Sequence, residues 1–484
     1  MNIQHIRALK KGLDHLLADR PDKTLAIAAR VLEQDPGNGE GWFLSGVACQ
    51  RMGRHRQALD HLDQACRLAP DVADYFSHRG LVWYHLGCFG ESLDDYARSL
   101  ALRPDDPETL GNLARLHVAM HRPDLARPLL EKALLHDPDN AALLGDLGVC
   151  HVALKRLAEG IACYRAALER DFADADIHYN LSRALLMSGA YEEGWRENEW
   201  RWKSRHYRGV EKNFPAPEWN GEPLAGKSIL LLQEQGFGDA IQMIRYAPLL
   251  ARRGGCVRVL CEPLLERLFA AMPSVVEVGV PGSSLSRSDW CLPMLSLPLR
   301  FDTRLATIPR DIPYLKAPEG LTIPGWRLGR GRDPVVGLIW RGKSRGQLNA
   351  CDFAPIFSIG GIRFFSLQKG LHPGELDGTP VMDTEASLTD FAATARIMTD
   401  LDLIVSIETA SAHLAGAMGK PVWILIPHAS EWRWLDSGTT APWYPSATLY
   451  RQTQPDSWAD IIFRLAGDLE QWRRTFVDAS SVHG

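Results

Sequence analysis

The sequence predicts a multidomain chain: an all-α array of helix–turn–helix repeats, then an α/β region built from two parallel-sheet halves. Three observations carry this. Pro36, Pro70, Pro104 and Pro138 recur at one constant interval, and Phe172 takes the next place in register. Residues 402–426 read as strand, turn, helix, strand. Ser228-Ile229-Leu230-Leu231-Leu232 is an apolar run followed by Gly236-Phe237-Gly238-Asp239, a second strand, glycine turn and helix start.

The array comes first, over residues 1–205. Gly46, Gly80, Ala114, Gly148 and Ser182 share one column of the register. Ala58, Ser92, Ala126, Gly160 and Gly194 share a second, and Ala65, Ser99, Ala133 and Ala167 a third. Small residues in fixed columns let two helices approach closely, and a proline punctuates each unit. Gly12 suggests a partial earlier unit. A helix–turn–helix period of about 34 residues resembles the tetratricopeptide repeat. The resemblance implies a superhelix whose concave face binds a polypeptide; a spacer or a self-association surface is the plainer alternative. Residues 189–207 close the array, and Trp195, Trp200 and Trp202 there read as a cap buried against the next domain.

Residues 206–227 hold Pro215, Pro217 and Pro223 and read as a linker. The first α/β half spans 228–315. Its glycine turn lacks the full dinucleotide fingerprint, since Ala240 and Ile241 follow Asp239. A helix is expected from Ala240 towards Arg252. Val257–Cys261 and Val276–Val278 continue the strands, and Trp290-Cys291-Leu292 offers a fourth. Proline and glycine crowd 316–334, a second linker.

The second half is expected over 335–484. Val335 to Trp340 opens it, and Arg341-Gly342-Lys343-Ser344-Arg345-Gly346 follows at the strand's carboxyl end. Cations, glycines and serine there suit a phosphate leaving group; a solvated turn is the plainer reading. Gln368-Lys369-Gly370 repeats the arrangement after Phe364-Phe365-Ser366-Leu367. In 402–426 the strand Leu403–Ile407 gives way to Glu408 and Thr409, then a helix from Ala410, ended by Gly419-Lys420-Pro421. Ligands of parallel sheets sit beyond the strands' carboxyl ends, and helix N–H groups there suit anions. Glu408, Thr409, Ser411 and His413 fall on that edge. After the next strand, Trp432 or Trp434 could stack on a base or sugar, and Arg433 could meet phosphate, although tryptophan more often packs.

Residues 406–426 resemble the nucleotide-sugar motif of GT-B glycosyltransferases of the heptosyltransferase-like clan. Thr409, His413, Leu414, Gly419 and Pro421 are in step with that motif, and Glu408 stands where the clan has aspartate. The Gly236-x-Gly238-Asp239 turn resembles the clan's Gly-x-Gly-Asp turn. The resemblance implies an α/β GT-B fold of two Rossmann-like domains, with Asp239 as catalytic base. It implies a donor site of Gly236, Gly238, Arg341, Lys343, Gln368, Lys369, Glu408, Thr409, Ser411 and His413. Asp239 could equally cap its helix, leaving Glu234 as the reserve base. The resemblance also lets the terminal helix, from Trp458 to Phe476, cross back onto the first half.

Coupled to the repeats, the motifs resemble bacterial flagellin glycosyltransferases. That implies a protein O-glycosyltransferase: inverting, metal-independent, and without a cofactor beyond its nucleotide-sugar co-substrate. A CMP-nonulosonic acid donor and flagellin on the repeat face are the candidates. The alternatives are transfer to lipopolysaccharide or another glycan, and a non-catalytic adaptor with a degenerate cleft. In the empty protein His413 is expected to be neutral and poised to donate to phosphate.

The totals exclude other classes. Net charge is −5, giving no general electrostatic support to nucleic-acid or membrane-surface binding. Nine cysteines without a C-x-x-C pair suggest a reducing compartment, and no apolar run approaches the ~18 residues of a membrane span. The stretch from Met1 to Arg20 lacks a signal-peptide core, so a cytoplasmic location is expected.

Overall fold

The small-residue columns of the repeat mark where paired helices touch. A computed structural model describes residues 3–207, 214–329, 333–342, 348–455 and 457–482, with side chains to 476. The chain divides into two compact units, Met1–Leu181 and Ser182–Gly484. The first is all helical. Short turns join Ile3–Leu17 to Pro21–Gln34, Gly39–Arg51 to His55–Leu68 and Ala73–Leu86 to Phe89–Leu102. Pro107–Ala119 pairs likewise with Pro123–His136, and Ala141–Ala153 with Leu157–Arg170.

Within a pair, a small residue on one helix faces a large one on the other. A Cβ added at Gly46 would lie 2.6 Å from Leu62, at Gly80 2.9 Å from Tyr96, and at Gly148 2.5 Å from Tyr164. Ala114 and Leu130 take the same places and share one buried cluster. The large partners Leu62, Tyr96, Leu130 and Tyr164 therefore form their own column in the repeat register, all buried. A further register went unused in the sequence reading. Asn38, Asp106, Asn140 and Asp174 accept from the N–H groups of Gly41 (3.0 Å), Thr109 (2.9 Å), Leu143 (3.1 Å) and Ile177 (3.0 Å). These caps satisfy donors that the first helical turn leaves over. Gly12 belongs to a complete helix pair rather than a partial unit: the Thr24 hydroxyl donates to its carbonyl at 2.8 Å, as Ser92 does to Gly80.

The second unit holds two sheets. Strands β1 (Ser228–Leu232), β2 (Cys256–Leu260), β3 (Glu277–Gly279) and β4 (Trp290–Pro293) are all parallel, in the order β3-β2-β1-β4. The expected fourth strand is thus present, beside β1. The other sheet comprises β5 (Val335–Ile339), β6 (Arg363–Ser366), β7 (Val381–Met382), β8 (Leu403–Ile407), β9 (Val422–Ile426), β10 (Thr440–Ala441) and β11 (Tyr444–Arg451). Its order is β10-β11-β9-β8-β5-β6-β7, parallel except for β10 against β11. Every residue of β5 and β8 is buried, as expected of central strands covered on both faces. One apolar cluster runs from Ile229 and Leu231 of β1 to Ile404 of β8 and Ile424 of β9, so the sheets share a core.

Two expectations are corrected and a third is met in part. The helix after the first glycine turn begins at Phe237 and breaks into Phe237–Met243, a 3-10 turn at Ile244–Tyr246, and Ala247–Arg252. Pro248 has no N–H to continue the first segment's ladder. Among the described side chains of the terminal helix, Ala459–Val482, the buried ones pack on the second sheet rather than the first: Ile461, Ile462, Leu465 and Leu469 join the cluster of Val336, Phe353 and Tyr450. The tryptophan-rich segment packs inside the α/β unit. Trp195 is buried, edge-on to Trp432 with ring centres 5.1 Å apart, while Trp200 and Trp202 are only partly buried.

The facing columns make a stability prediction. Alanine in place of a helical glycine normally gains up to ~1 kcal/mol, but overpacking costs ~1–3 kcal/mol. Gly148→Ala should therefore lower the denaturation midpoint. Gly90→Ala, where an added Cβ meets nothing within 4 Å, should leave it unchanged or raise it. Chemical denaturation of the two variants beside the parent checks the pair.

Candidate functional site

The carboxyl ends of β1, β5, β6, β8 and β9 open onto one cavity of about 770 Å³. In the second sheet β5 lies between β8 and β6, so the chain leaves its first strand in both directions, and such switch points are where ligands bind. Arg341 and Gly342 follow β5; Glu408 and Thr409 follow β8. Gly236 to Asp239 come across from β1 of the other sheet. Gly236, Gly238, Asp239, Arg341, Gln368, Lys369, Glu408, Thr409, Ser411 and His413 all line this cavity. Lys343 lies outside the described residues.

Two helix starts meet at its floor. A Cβ on Gly238 would stand 2.8 Å from the His413 ring and 3.7 Å from Ala410 Cα, so Gly238 is needed for this close approach. Gly236 is the N-cap of Phe237–Met243, and Asp239 is the third helical residue. Asp239 is therefore no cap. Its carboxylate pairs with Arg433, a buried guanidinium that also donates to Gln242 Oε1 at 2.9 Å. Thr409 caps Ala410–Ala417, accepting from the Ala412 N–H, and its hydroxyl meets that of Ser406 at 3.0 Å. Ser411, in the first turn, is partly exposed to the cavity.

Several expected ligands turn out to be tied to the protein. Arg341 is bidentate to Glu375 at 2.6 and 3.0 Å, so its charge is largely answered. Burial alone would raise the Glu375 carboxyl; bonds from Arg341, the His372 N–H and the Trp340 indole take it below its ordinary value. Gln368 is a strut: its oxygen accepts from the Arg341 N–H at 2.9 Å, and its amide donates to the Lys369 carbonyl at 2.8 Å. Lys369 is exposed and is in no ion pair among the described residues. His413 is 4% exposed, stacked on Trp434, with Nδ1 2.9 Å from the Tyr444 hydroxyl. Burial, then Arg433 and Arg245, holds it well below its ordinary pKa, so it is neutral, and only its other edge faces Gly238 and the cavity. Glu234 is no reserve base. It accepts from Arg201 and from the Leu295 N–H at 3.0 Å and lies away from the cavity.

The sequence reading missed part of the lining. Phe237 and Phe391 stack obliquely, ring centres 5.1 Å apart, with Leu264 and Leu388 also on the wall. Asp390 caps Phe391–Thr399 through the Ala393 N–H and pairs with Arg267. An acidic cap before an apolar run was the signal for it. Glu431 pairs with Arg183 at 2.6 Å and approaches Arg433 at 3.7 Å. The cavity thus joins an apolar wall to alternating charges and two helix starts, a surface for a ligand with a flat or apolar end and an anionic end.

Glu408 gives a pH signature. Burial, then repulsion from Glu431, pushes its carboxyl from 4.5 up to about 7. A carboxyl raised on folding adds stability fully present below its unfolded pKa and lost as pH climbs through the folded one. Glu408→Gln removes that term. The variant should gain on the parent in melting temperature between pH 4.5 and about 7 and keep a constant advantage above it. Melting curves of both proteins across that range provide the check.

Comparison with known proteins covers both units. Residues 50–107 and 118–179 each match a family described as tetratricopeptide repeat. Protein FlbA of Caulobacter vibrioides is 24% identical over 551 residues, covering 97% of this chain and 91% of its own length. The DnaJ homolog subfamily C member 7 homolog of Schizosaccharomyces pombe is 25% identical over 192 residues, 36% of this chain and 40% of that one. Among solved structures, a thermophilic tetratricopeptide-repeat protein of Thermus thermophilus covers 38% of this chain and 99% of its own, at 20% identity and a TM-score of 0.34. The amino-terminal region of this chain therefore carries tetratricopeptide repeats, joined to an α/β region in a chain similar to FlbA over nearly its whole length.

Proposed function

We propose that the α/β unit is a GT-B glycosyltransferase that moves a sugar from a nucleotide-sugar to a serine or threonine of a protein held by the repeats. One observation carries the reading: Asp239 and nine residues of the expected donor site line a single cavity, although they come from separate segments and both sheets. The apolar wall of Phe237, Phe391 and Leu264 suits a base or sugar ring. Lys369 and the first N–H groups of Ala410–Ala417 suit the leaving phosphate. In this reading the departing charge is met by helix N–H groups and cations, without a metal. A carboxylate must take the acceptor's proton, and the resemblance gives that role to Asp239. Tetratricopeptide repeats bind protein partners, which is why the acceptor is a protein. Flagellin comes first among acceptors, and similarity to FlbA over nearly the whole chain is consistent with it.

A second reading, a repeat adaptor with an inactive cleft, is favoured by the Arg433 clamp on Asp239, which ties that carboxylate to the protein itself.

Nucleotides separate the two. CMP, UDP, GDP and ADP should be titrated into the full chain. At a hundredfold excess over its dissociation constant, the right one adds about 2.7 kcal/mol of stability and a matching rise in melting temperature. Its sugar conjugate should then label flagellin in the presence of EDTA. A chain stabilised by no nucleotide is the adaptor; labelling that appears only with added Mg²⁺ or Mn²⁺ removes the metal-independent mechanism.

A further inference from the structure

Among the described residues four carboxylates line the cleft, and three of them are already paired. Asp239 is clamped by Arg433, Glu431 by Arg183, and Asp390 by Arg267. Glu408 is the exception. It lines the cavity directly after β8, is partly exposed there, and is in no ion pair among the described residues. The Trp434 indole beside it is fully buried, and among the described residues its N–H has no hydrogen-bond acceptor other than Glu408. A buried donor of that kind is costly unless a group in reach takes it up, and Glu408 is the acidic neighbour on which it acts.

Resting on the transferase reading above, we propose that Glu408, rather than Asp239, takes the proton of the acceptor hydroxyl. The acceptor oxygen then forms its bond to the anomeric carbon. The bond from that carbon to the donor phosphate breaks, its electron pair leaves with the phosphate, and the proton stays on Glu408. Asp239 acts through Arg433 as a positioning residue, orienting the guanidinium from the other sheet.

The surroundings favour this division of labour. The Asp239 carboxylate is held by the Arg433 guanidinium and is not free to turn to an acceptor hydroxyl. A base works best when its pKa lies near the working pH. Glu408 is faced by Glu431 and Arg433 of the segment after β9, by Arg183, and by Arg451 at the end of β11. Burial and Glu431 push its carboxyl up; Trp434, Arg433 and Arg183 pull the other way, and the balance is about 7. Transfer should therefore rise with pH and level off above that point.

The test uses the full chain with Glu408→Gln, Glu408→Asp and Asp239→Asn, the nucleotide that stabilises the parent, and its sugar conjugate. Glu408→Gln should slow transfer about 100-fold or more, abolish the acidic limb of the pH–rate profile, and leave affinity for the free nucleotide unchanged. Glu408→Asp should restore part of the rate. Asp239→Asn should slow transfer but keep the limb. Infrared difference spectra of the parent against Glu408→Gln should show a protonated carboxyl band that disappears near pH 7. Loss of the limb in Asp239→Asn with its survival in Glu408→Gln overturns the proposal and leaves the transferase reading standing. So does a Glu408→Gln variant that transfers at the parent's rate, or one that merely loses nucleotide affinity. A parent that transfers no sugar removes both.

Discussion

Two buried guanidinium groups hold the cleft together, and its geometry follows from them. Arg245 stands in the turn that follows Phe237–Met243, and Arg433 in the loop beyond β9. Arg245 has no carboxylate partner among the described residues. It donates to the carbonyls of Gln242, Pro309 and Trp443 and to the Tyr314 hydroxyl, under the rings of Tyr314, Trp443 and Tyr444. Arg433 binds Asp239 and Gln242 across from the other sheet. A buried charge deprived of its partners costs several kcal/mol, so loss of either set of contacts destabilises the junction. The Gly238–His413 approach, the Asp239 clamp and the alignment of the strand ends all lie within this fixed frame.

That frame sets the electrostatics of the cavity. Arg341, Gln368 and Asp239 look like ligand-binding groups in the sequence, yet each is engaged by the protein itself. What remains for a ligand is smaller and more definite: Lys369, Glu408, Ser411, the helix starts and the aromatic wall. The exposed edge of His413 belongs with them, though its other nitrogen is held by Tyr444. A site of this kind is rigid in its supporting layer and open where the ligand sits, the arrangement that positions a reacting group without reorganisation.

Much of this was legible in the chain, for reasons particular to each element. The repeat declares itself because each pair needs a small residue opposite a large one, and a constant unit length copies that need from one unit to the next. The strands of the α/β unit show as apolar runs because both faces of β5 and β8 are covered. Gly236-x-Gly238-Asp239 and Glu408 to His413 were found as separate motifs, far apart in the chain. Less legible was the break at Pro248, which a proline announces only when its place in the helix is known. The docking of Ala459–Val482 was also hidden: an amphipathic helix shows that it has an apolar face, not which surface covers it.

The sequence by itself determined local things: periodicity, helix starts and stops, the strand–turn–helix units, and which residue types stand at strand ends. These depend on neighbours within a turn or two, so they are written in short-range pattern. Only the tertiary structure decided which charges meet. Asp239 and Arg433 are 194 residues apart, and Arg341 finds Glu375 34 residues away. Nothing in the local pattern marks Glu408 as a carboxyl in no ion pair among the described residues, because that depends on where the other charges went. Pairing of buried charges is settled by packing of distant segments, and that is information a single sequence carries only through its fold.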